Sequence, residues 1–453
     1  MNYELCIIHD SLFLIHFFML DIKFIRDNAE LVQEGAKKKH IDFDIKKLLE
    51  VDDKRKALSQ QLEEKRAKQN QVNTEVPKVD SDKRTQLIKE MQLLKEEMQK
   101  LEEQLKEVII EWQKLMVAVP NIPDMSVPEG EDDSTNLEIK SWPVSASGGE
   151  KTKFSFTPKN HTELMLDLDM ADFDRGTKVA GFRGYFLKND GALLSYAIWQ
   201  HALNHFLAKD FTPMIVPSLI RRESLIGSGY LPQGEEDLYR TQDGEYLSGT
   251  AEVATMAYYM DEILDKKDLP KKFLSFSPCF RREAGAHGKD VKGLIRVHEF
   301  YKLEQVILCE ASHEESVKQH EFLHRNTEEF IESLKIPYRT VINCAGDLGL
   351  GQVKKYDIEL WVPLEKKYRE IGSTSYFHDF QTRRLGIRYK DEDPSASSGQ
   401  GKMKFAHSLN STAIPTPRIL VSLIENFQQI DGSIIIPEVL RPYIGGREKI
   451  SKN

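Results

Sequence analysis

The residues with the clearest chemical content lie between Phe280 and Leu308. Phe280-Arg281-Arg282-Glu283 opens the stretch, a loop containing Gly285, Gly288, Lys289, Lys292 and Gly293 follows, and a strand-like run extends from Leu294 to Leu308. Side chains alternate between the two faces of a strand. The alternation predicts one face carrying Arg296, His298, Phe300, Lys302 and Glu304, and an opposite, core-facing set of Ile295, Val297, Tyr301, Leu303 and Ile307. Cations, a carboxylate and a flat ring on one surface suit a nucleotide together with a small polar substrate. A half-buried surface hairpin is the competing reading of this segment alone. His298-Glu299 resembles the opening of a zinc-protease HExxH pattern, but position 302 is lysine, which removes the second histidine ligand.

These residues need a scaffold, and 453 residues are too many for one ordinary core, so two domains are expected. The chain is 30% charged and 40% apolar with a net charge of −9, a soluble globular balance with no global attraction to nucleic acid. Any such binding must come from a local basic patch. Cys6, Cys279, Cys309 and Cys344 are scattered without zinc-ligand spacing, which points to reduced thiols and a cytoplasmic protein. The apolar run at 12–20 is too short to span a bilayer and lacks a basic start and a cleavage site. Residues 1–18 therefore read as an extension ahead of Met19, outside the fold and without a membrane role.

Residues 83–117 carry a sustained heptad seam: Leu87, Met91, Leu94, Met98, Leu101, Leu105, Val108, Trp112 and Leu115. Leu48, Val51, Leu58, Leu62, Val72 and Val76 continue the register upstream, with Arg55, Lys65 and Gln69 at the remaining seam positions. Pro77 stops the first helix, and Ser81 or Asp82 can cap the second, which predicts an antiparallel helical hairpin. Helices of this length cannot be buried in a globule of this size, so a projecting arm is expected. It could be a dimerisation zipper, a spacer or a ligand-binding arm. From Lys65 to Lys89 there are seven basic residues against three acidic ones. Lys65, Arg66, Lys68, Lys78, Lys83 and Arg84 are the candidate phosphate-backbone contacts, against the alternative of ordinary solvated helix faces.

Pro120, Pro123, Pro128 and the acidic 129–133 mark a linker, so the expected division is 19–128 for the helical domain and 129–453 for a second domain. Strand-like runs at Phe273–Phe276, Leu294–Leu308 and Ile434–Ile436 and helices at Ala192–Leu207 and Glu314–Leu334 predict an α+β fold. Its core is an antiparallel β-sheet flanked by helices. The low-complexity 391–402 reads as a mobile loop.

With these features assembled, the chain resembles the bacterial-type seryl-tRNA synthetases, a family of class II aminoacyl-tRNA synthetases. Phe211-Thr212-Pro213-Met214-Ile215-Val216-Pro217 is similar to motif 1, whose proline lies at the dimer interface. Phe280 through Glu304 is similar to motif 2, and Leu409 through Arg418 to motif 3; Thr250-Ala251-Glu252 and Glu370-Ile371-Gly372-Ser373 also match. The resemblance implies activation of L-serine with ATP and Mg2+, transfer to tRNA(Ser), with tRNA(Sec) as a second candidate, and a homodimer. It assigns Arg281 and Arg418 to catalysis. ATP would be held by Arg281, Arg282, Glu283, Val297, Phe300, Glu370, Ile371, Gly372, Ser373 and Arg418, with Glu370 and Ser373 on the magnesium. Serine would be held by Thr250, Ala251, Glu252, Arg281, Glu304 and Thr412. Pro415, Pro417 and the 394–401 segment depart from the family pattern, and the prolines predict a shifted start for the motif 3 helix. A carrier-protein-charging relative and a non-catalytic coiled-coil RNA-binding protein remain the alternatives.

Overall fold

A computed structural model describes residues 20–143, 154–285, 290, 292–391 and 401–452. The 1–18 extension and most of the 394–401 segment fall outside them. The chain divides into two compact units, one ending at Pro120 and excluding 38–40, the other comprising Lys38–His40 and everything from Asn121.

In the helical unit, α1 (Ile45–Glu75) and α2 (Ser81–Ala118) form a hairpin. The Asp44 side chain caps α1 by accepting from the amides of Lys46 and Lys47. Asp80, not Ser81 or Asp82, caps α2, its carboxylate accepting from the Lys83 amide. Cross-hairpin ion pairs Lys47–Glu111 and Lys65–Glu97 fix the antiparallel sense. Leu87, Leu94, Met98, Val108 and Trp112 are buried along the seam, as the heptads require. Arg55 is tolerated at a seam position because its guanidinium stacks 4.4 Å above the Trp112 ring and its Nη2 meets the buried Asp52 at 2.8 Å.

The second unit is built on an eight-stranded sheet. Its strands are β1 (Leu137–Trp142), β2 (Thr212–Ile215), β3 (Lys271–Phe280), β4 (Glu299–Cys309), β5 (Tyr338–Ile342), β6 (Lys354–Val362), β7 (Lys367–His378) and β8 (His407–Thr416). Their spatial order is β1-β5-β6-β7-β8-β4-β3-β2, and every pairing is antiparallel except the edge pair β2–β3. Helices α3 (Asn189–Leu207), α4 (His313–Ser333) and α5 (Arg418–Phe427) supply residues to the main core, where Phe206, Phe330, Ile331 and Leu423 join Leu303, Ile307, Leu409 and Ala413 of the sheet. This is the α+β sheet-and-helix architecture expected. Among the described residues, no helix is long and apolar enough to cross a membrane.

The expected strand at 294–308 is shorter than its hydrophobic pattern. The ladder begins only at Glu299, because Gly293 takes φ +91° and residues 292–298 pair with no strand. From Glu299 onward the alternation holds. Leu303 and Ile307 enter the main core, while Val306 and Leu308 close a smaller core with Met256 and Ile387 on the other face. That second face is apolar at its far end and carries the Phe300 ring with the charged Lys302 and Glu304 where it opens into a cleft.

Candidate active site

The cleft is formed where the ends of β3, β4, β7 and β8 meet the start of α5. Arg281 stands one residue beyond β3, lining the cleft with Phe300, Lys302 and Glu304 of β4 and with Arg418 at the first position of α5. The two prolines before Arg418 do not displace it from the cleft.

Two irregularities in the sheet set the inner wall. Between β4 and β8, Leu303 faces Ile414 and Glu304 faces Thr412, so Ala413 is an extra residue that brings Thr412 opposite Glu304. Between β6 and β7, Ile371 is the extra residue between Glu370 and Gly372. Gly372 is required by close approach: a Cβ there would lie 2.5 Å from Cβ of Thr412.

The cationic groups are held from behind. Arg281 Nε donates to the Gly249 carbonyl at 3.4 Å, and its guanidinium lies 5.4 Å from the Phe300 ring centre. Arg418 Nε donates to the Ile295 carbonyl at 2.9 Å and Nη1 to the Glu370 carbonyl at 3.2 Å. Burial pulls the Arg418 pKa below its ordinary value; the Glu370 carboxylate opposes this, and Arg281 and Arg296 add to it. Two guanidiniums thus share one cleft, a site primed for a polyanion. Glu283 adopts φ +53°, a left-handed conformation uncommon for a non-glycine, and accepts from Arg296 Nη1 at 2.8 Å.

The buried end of the cleft carries two carboxylates. Glu304 is ion-paired with Lys302 and accepts from the Thr250 hydroxyl at 3.3 Å. Glu252 accepts from the Tyr230 hydroxyl at 3.1 Å and the Gln381 amide at 2.6 Å. Burial first, then repulsion from Glu304, pushes the Glu252 pKa up to about 7.

Comparison with known proteins gives this constellation its context. The model for the tRNA synthetase class II core domain (G, H, P, S and T) matches residues 237–427, and that for the seryl-tRNA synthetase N-terminal domain matches residues 19–123. The serine--tRNA ligase of Deinococcus radiodurans is 44% identical over 435 residues, covering 96% of this chain and 99% of that protein. The chain belongs to the seryl-tRNA synthetase family. Among solved structures, the seryl-tRNA synthetase of Pyrococcus horikoshii complexed with ATP aligns with a TM-score of 0.86 at 36% identity, covering 96% of this chain and all of that one. The cytoplasmic serine-tRNA ligase of Naegleria fowleri in complex with AMP aligns at 0.82 and 30%, covering 97% and 100%.

Of the residues the seryl-tRNA synthetase resemblance assigned, Arg281, Glu283, Val297, Phe300, Glu370, Ile371, Gly372, Ser373 and Arg418 line the cleft, as do Glu252, Glu304 and Thr412. Three do not. Arg282 is exposed, its backbone amide donating to the Asp237 carbonyl at 2.9 Å. Thr250 and Ala251 are buried behind the carboxylates. Ile295 and Val297, expected in the core, are both buried and Ile295 joins the main core, but both also line the cleft, because strand parity does not extend below Glu299. Arg296 and His298, expected on the substrate face, are turned to other partners: Arg296 to Glu283 and Asp290, and His298 Nδ1 to the Arg281 carbonyl at 2.9 Å. Sequence reasoning missed Tyr230, Asn410 and the turn Gly349–Gln352, which also line the cleft. The Gly349-Leu350-Gly351 spacing was the available signal for the turn.

On the arm, the structure separates the six candidate bases. Lys65 Nζ meets Glu97 at 2.5 Å and Arg66 Nη2 meets Glu102 at 2.9 Å. Lys68, Lys78, Lys83 and Arg84 make no ion pair among the described residues.

Proposed function

We propose that this chain is a cytoplasmic serine--tRNA ligase that forms seryl-adenylate from L-serine and ATP and transfers the seryl group to the 3′ end of tRNA(Ser). The convergence of Arg281, Phe300, Glu304 and Arg418 on one cleft carries this reading. The serine carboxylate attacks the α-phosphorus and pyrophosphate leaves; the carboxylate is ionised at neutral pH, so no general base is needed. The chain's task is positioning and charge stabilisation. Arg281 spans the serine carboxylate and the α-phosphate, where losing such a contact costs about 3–4 kcal/mol of transition-state stabilisation. Phe300 stacks on adenine, the Glu283 carboxylate accepts from its amino group, and Arg418 closes over the nucleotide and meets its terminal phosphate.

Magnesium takes hard oxygen ligands, usually one or two protein oxygens alongside substrate phosphates. The Glu370 carboxylate and Ser373 hydroxyl are such donors on one strand, so the residues present fit the ion, which would neutralise charge on the departing pyrophosphate. Serine is too small for selection by apolar fit. Its ammonium is met by Glu252 and its hydroxyl by Glu304 and Thr412, groups that alanine leaves unpaired.

A symmetric homodimer through motif 1 is supported by the edge strand β2, where Ile215 is 88% exposed, and by exposed Phe182 and Tyr196. The arm's bases suit the tRNA backbone; tRNA(Sec), if it presents the same shape, is a second substrate. The deciding experiment is ATP–pyrophosphate exchange across the twenty amino acids. Serine alone should support it, and equal exchange on alanine or glycine would refute the pocket assignment. Deleting residues 55–110 should spare exchange and abolish tRNA charging.

A further inference from the structure

The turn Gly349–Gln352 lines the cleft between β5 and β6, and its backbone is held by two side chains from far away in sequence. Lys39 is 3% exposed, and its ammonium donates to the carbonyls of Gly349 at 3.0 Å, Leu350 at 3.0 Å and Gln352 at 2.6 Å. Asn121, 5% exposed, supplies the rest: its backbone amide donates to the Leu350 carbonyl at 2.9 Å, and its side-chain amide to the Gly351 carbonyl at 3.1 Å and the Phe377 carbonyl at 2.8 Å. Four consecutive carbonyls are therefore engaged by two residues, neither of which lines the cleft. Burying an ammonium is costly. All three of its donors are used here on one turn, a geometry that fixes that turn more tightly than neutral packing could.

The turn borders the amino-acid end of the cleft. A Cβ on either Gly351 or Gly229 would run into the Phe380 ring, so the ring sits against both. Gly229 adjoins Tyr230, which donates to Glu252, and Gln381, next to Phe380, donates to both Ser228 and Glu252.

We propose that Lys39 and Asn121 are positioning residues for serine: by holding the carbonyls of 349–352 they set the wall against which the amino acid is bound. This rests on the serine-activating role argued above. It is tested with the full chain by comparing the parent with Lys39→Met and Asn121→Ala in serine-dependent ATP–pyrophosphate exchange and in amide hydrogen exchange.

Lys39→Met should raise KM for serine about tenfold or more while KM for ATP and kcat stay within about twofold. The Asn121→Ala effect should combine with it non-additively, because the Asn121 side chain holds the Gly351 carbonyl, between the Leu350 and Gln352 carbonyls held by Lys39. Amides of Leu350 to Val353 should exchange about tenfold faster in Lys39→Met, with β6 unchanged. Unaltered exchange across the turn overturns the clamp whatever the enzyme's activity. A folded variant with parental KM for serine, or with both KM values rising together, overturns the positioning role. Absence of serine-dependent turnover in the parent refutes the proposed function instead, and the amide data still decide the clamp.

Discussion

Glu252 and Glu304 repel one another in the buried end of the cleft, and they are compensated differently: Glu304 has the Lys302 ammonium, whereas Glu252 is held by two neutral donors, Tyr230 and Gln381. In the proposed function, the ammonium of serine is the cation that pairs directly with Glu252. Its pKa, raised to about 7 by burial and by Glu304, then has consequences of definite sign. KM for serine should fall as pH rises from 6 to 8, because the carboxylate that pairs with the ammonium is being formed. Stability runs the other way. A carboxyl whose folded pKa exceeds its unfolded value near 4.5 contributes stability that is complete below that value and is lost as pH climbs through about 7. The loss is on the order of 3 kcal/mol. Glu252→Gln should abolish serine activation yet unfold at higher temperature than the parent at pH 8, with the gap closing at pH 4.5. A variant whose melting temperature tracks the parent at every pH contradicts the assignment.

Arg281 is expected to tolerate no substitution. Arg281→Ala should lower exchange about 10²–10³-fold. Arg281→Lys should recover less than about tenfold of this, because a point charge replaces a planar fork that also stacks against Phe300 at 5.4 Å. Steady-state exchange kinetics on both variants give the answer; near-parental activity in the lysine variant would make charge alone sufficient.

Much of the fold was legible because the heptads at 87–115 and the strand of β4 from Glu299 obey one period each. The parts of the site that escaped reading are those where period fails. Ile295 and Val297 look like core by parity, and both are buried, but with no ladder below Glu299 they also line the cleft, which parity does not foretell. Thr412 is reached through the family resemblance and not through period: it meets Glu304 only through an extra residue on β8, and a bulge leaves no mark in composition. Lys39 acts on a turn more than three hundred residues away, a long-range contact that no local pattern encodes.

Gly372→Ala tests whether the close strand approach is functional. The new methyl would collide with Thr412 Cβ, so β7 or β8 must shift, carrying Glu370, Ser373 or Thr412 with it. Overpacking of this kind costs about 1–3 kcal/mol of stability. A displacement of the order of 1 Å should reduce kcat/KM for serine about 10²-fold. Ser373→Ala, which removes an oxygen without moving the strand, should instead leave stability unchanged and raise the magnesium concentration needed for half-maximal exchange. If both variants show the same magnesium dependence as the parent, Ser373 does not hold the ion.

The arm's bases divide into two classes with different salt signatures. Lys65 and Arg66 are paired across the hairpin with Glu97 and Glu102, so a phosphate must compete with a carboxylate for each. Lys68, Lys78, Lys83 and Arg84 carry no such competitor among the described residues. Each of these four that contacts the tRNA backbone should, when changed to glutamine, lower the slope of log affinity against log salt by about 0.7–1. Lys65→Gln and Arg66→Gln should change the slope by less, because each charge is already compensated by its carboxylate partner before any phosphate arrives. Titrating tRNA(Ser) against the six variants between low and moderate salt distinguishes the classes. Equal slope changes for all six would mean that the ion pairs open on binding, and no change for any would place the tRNA elsewhere.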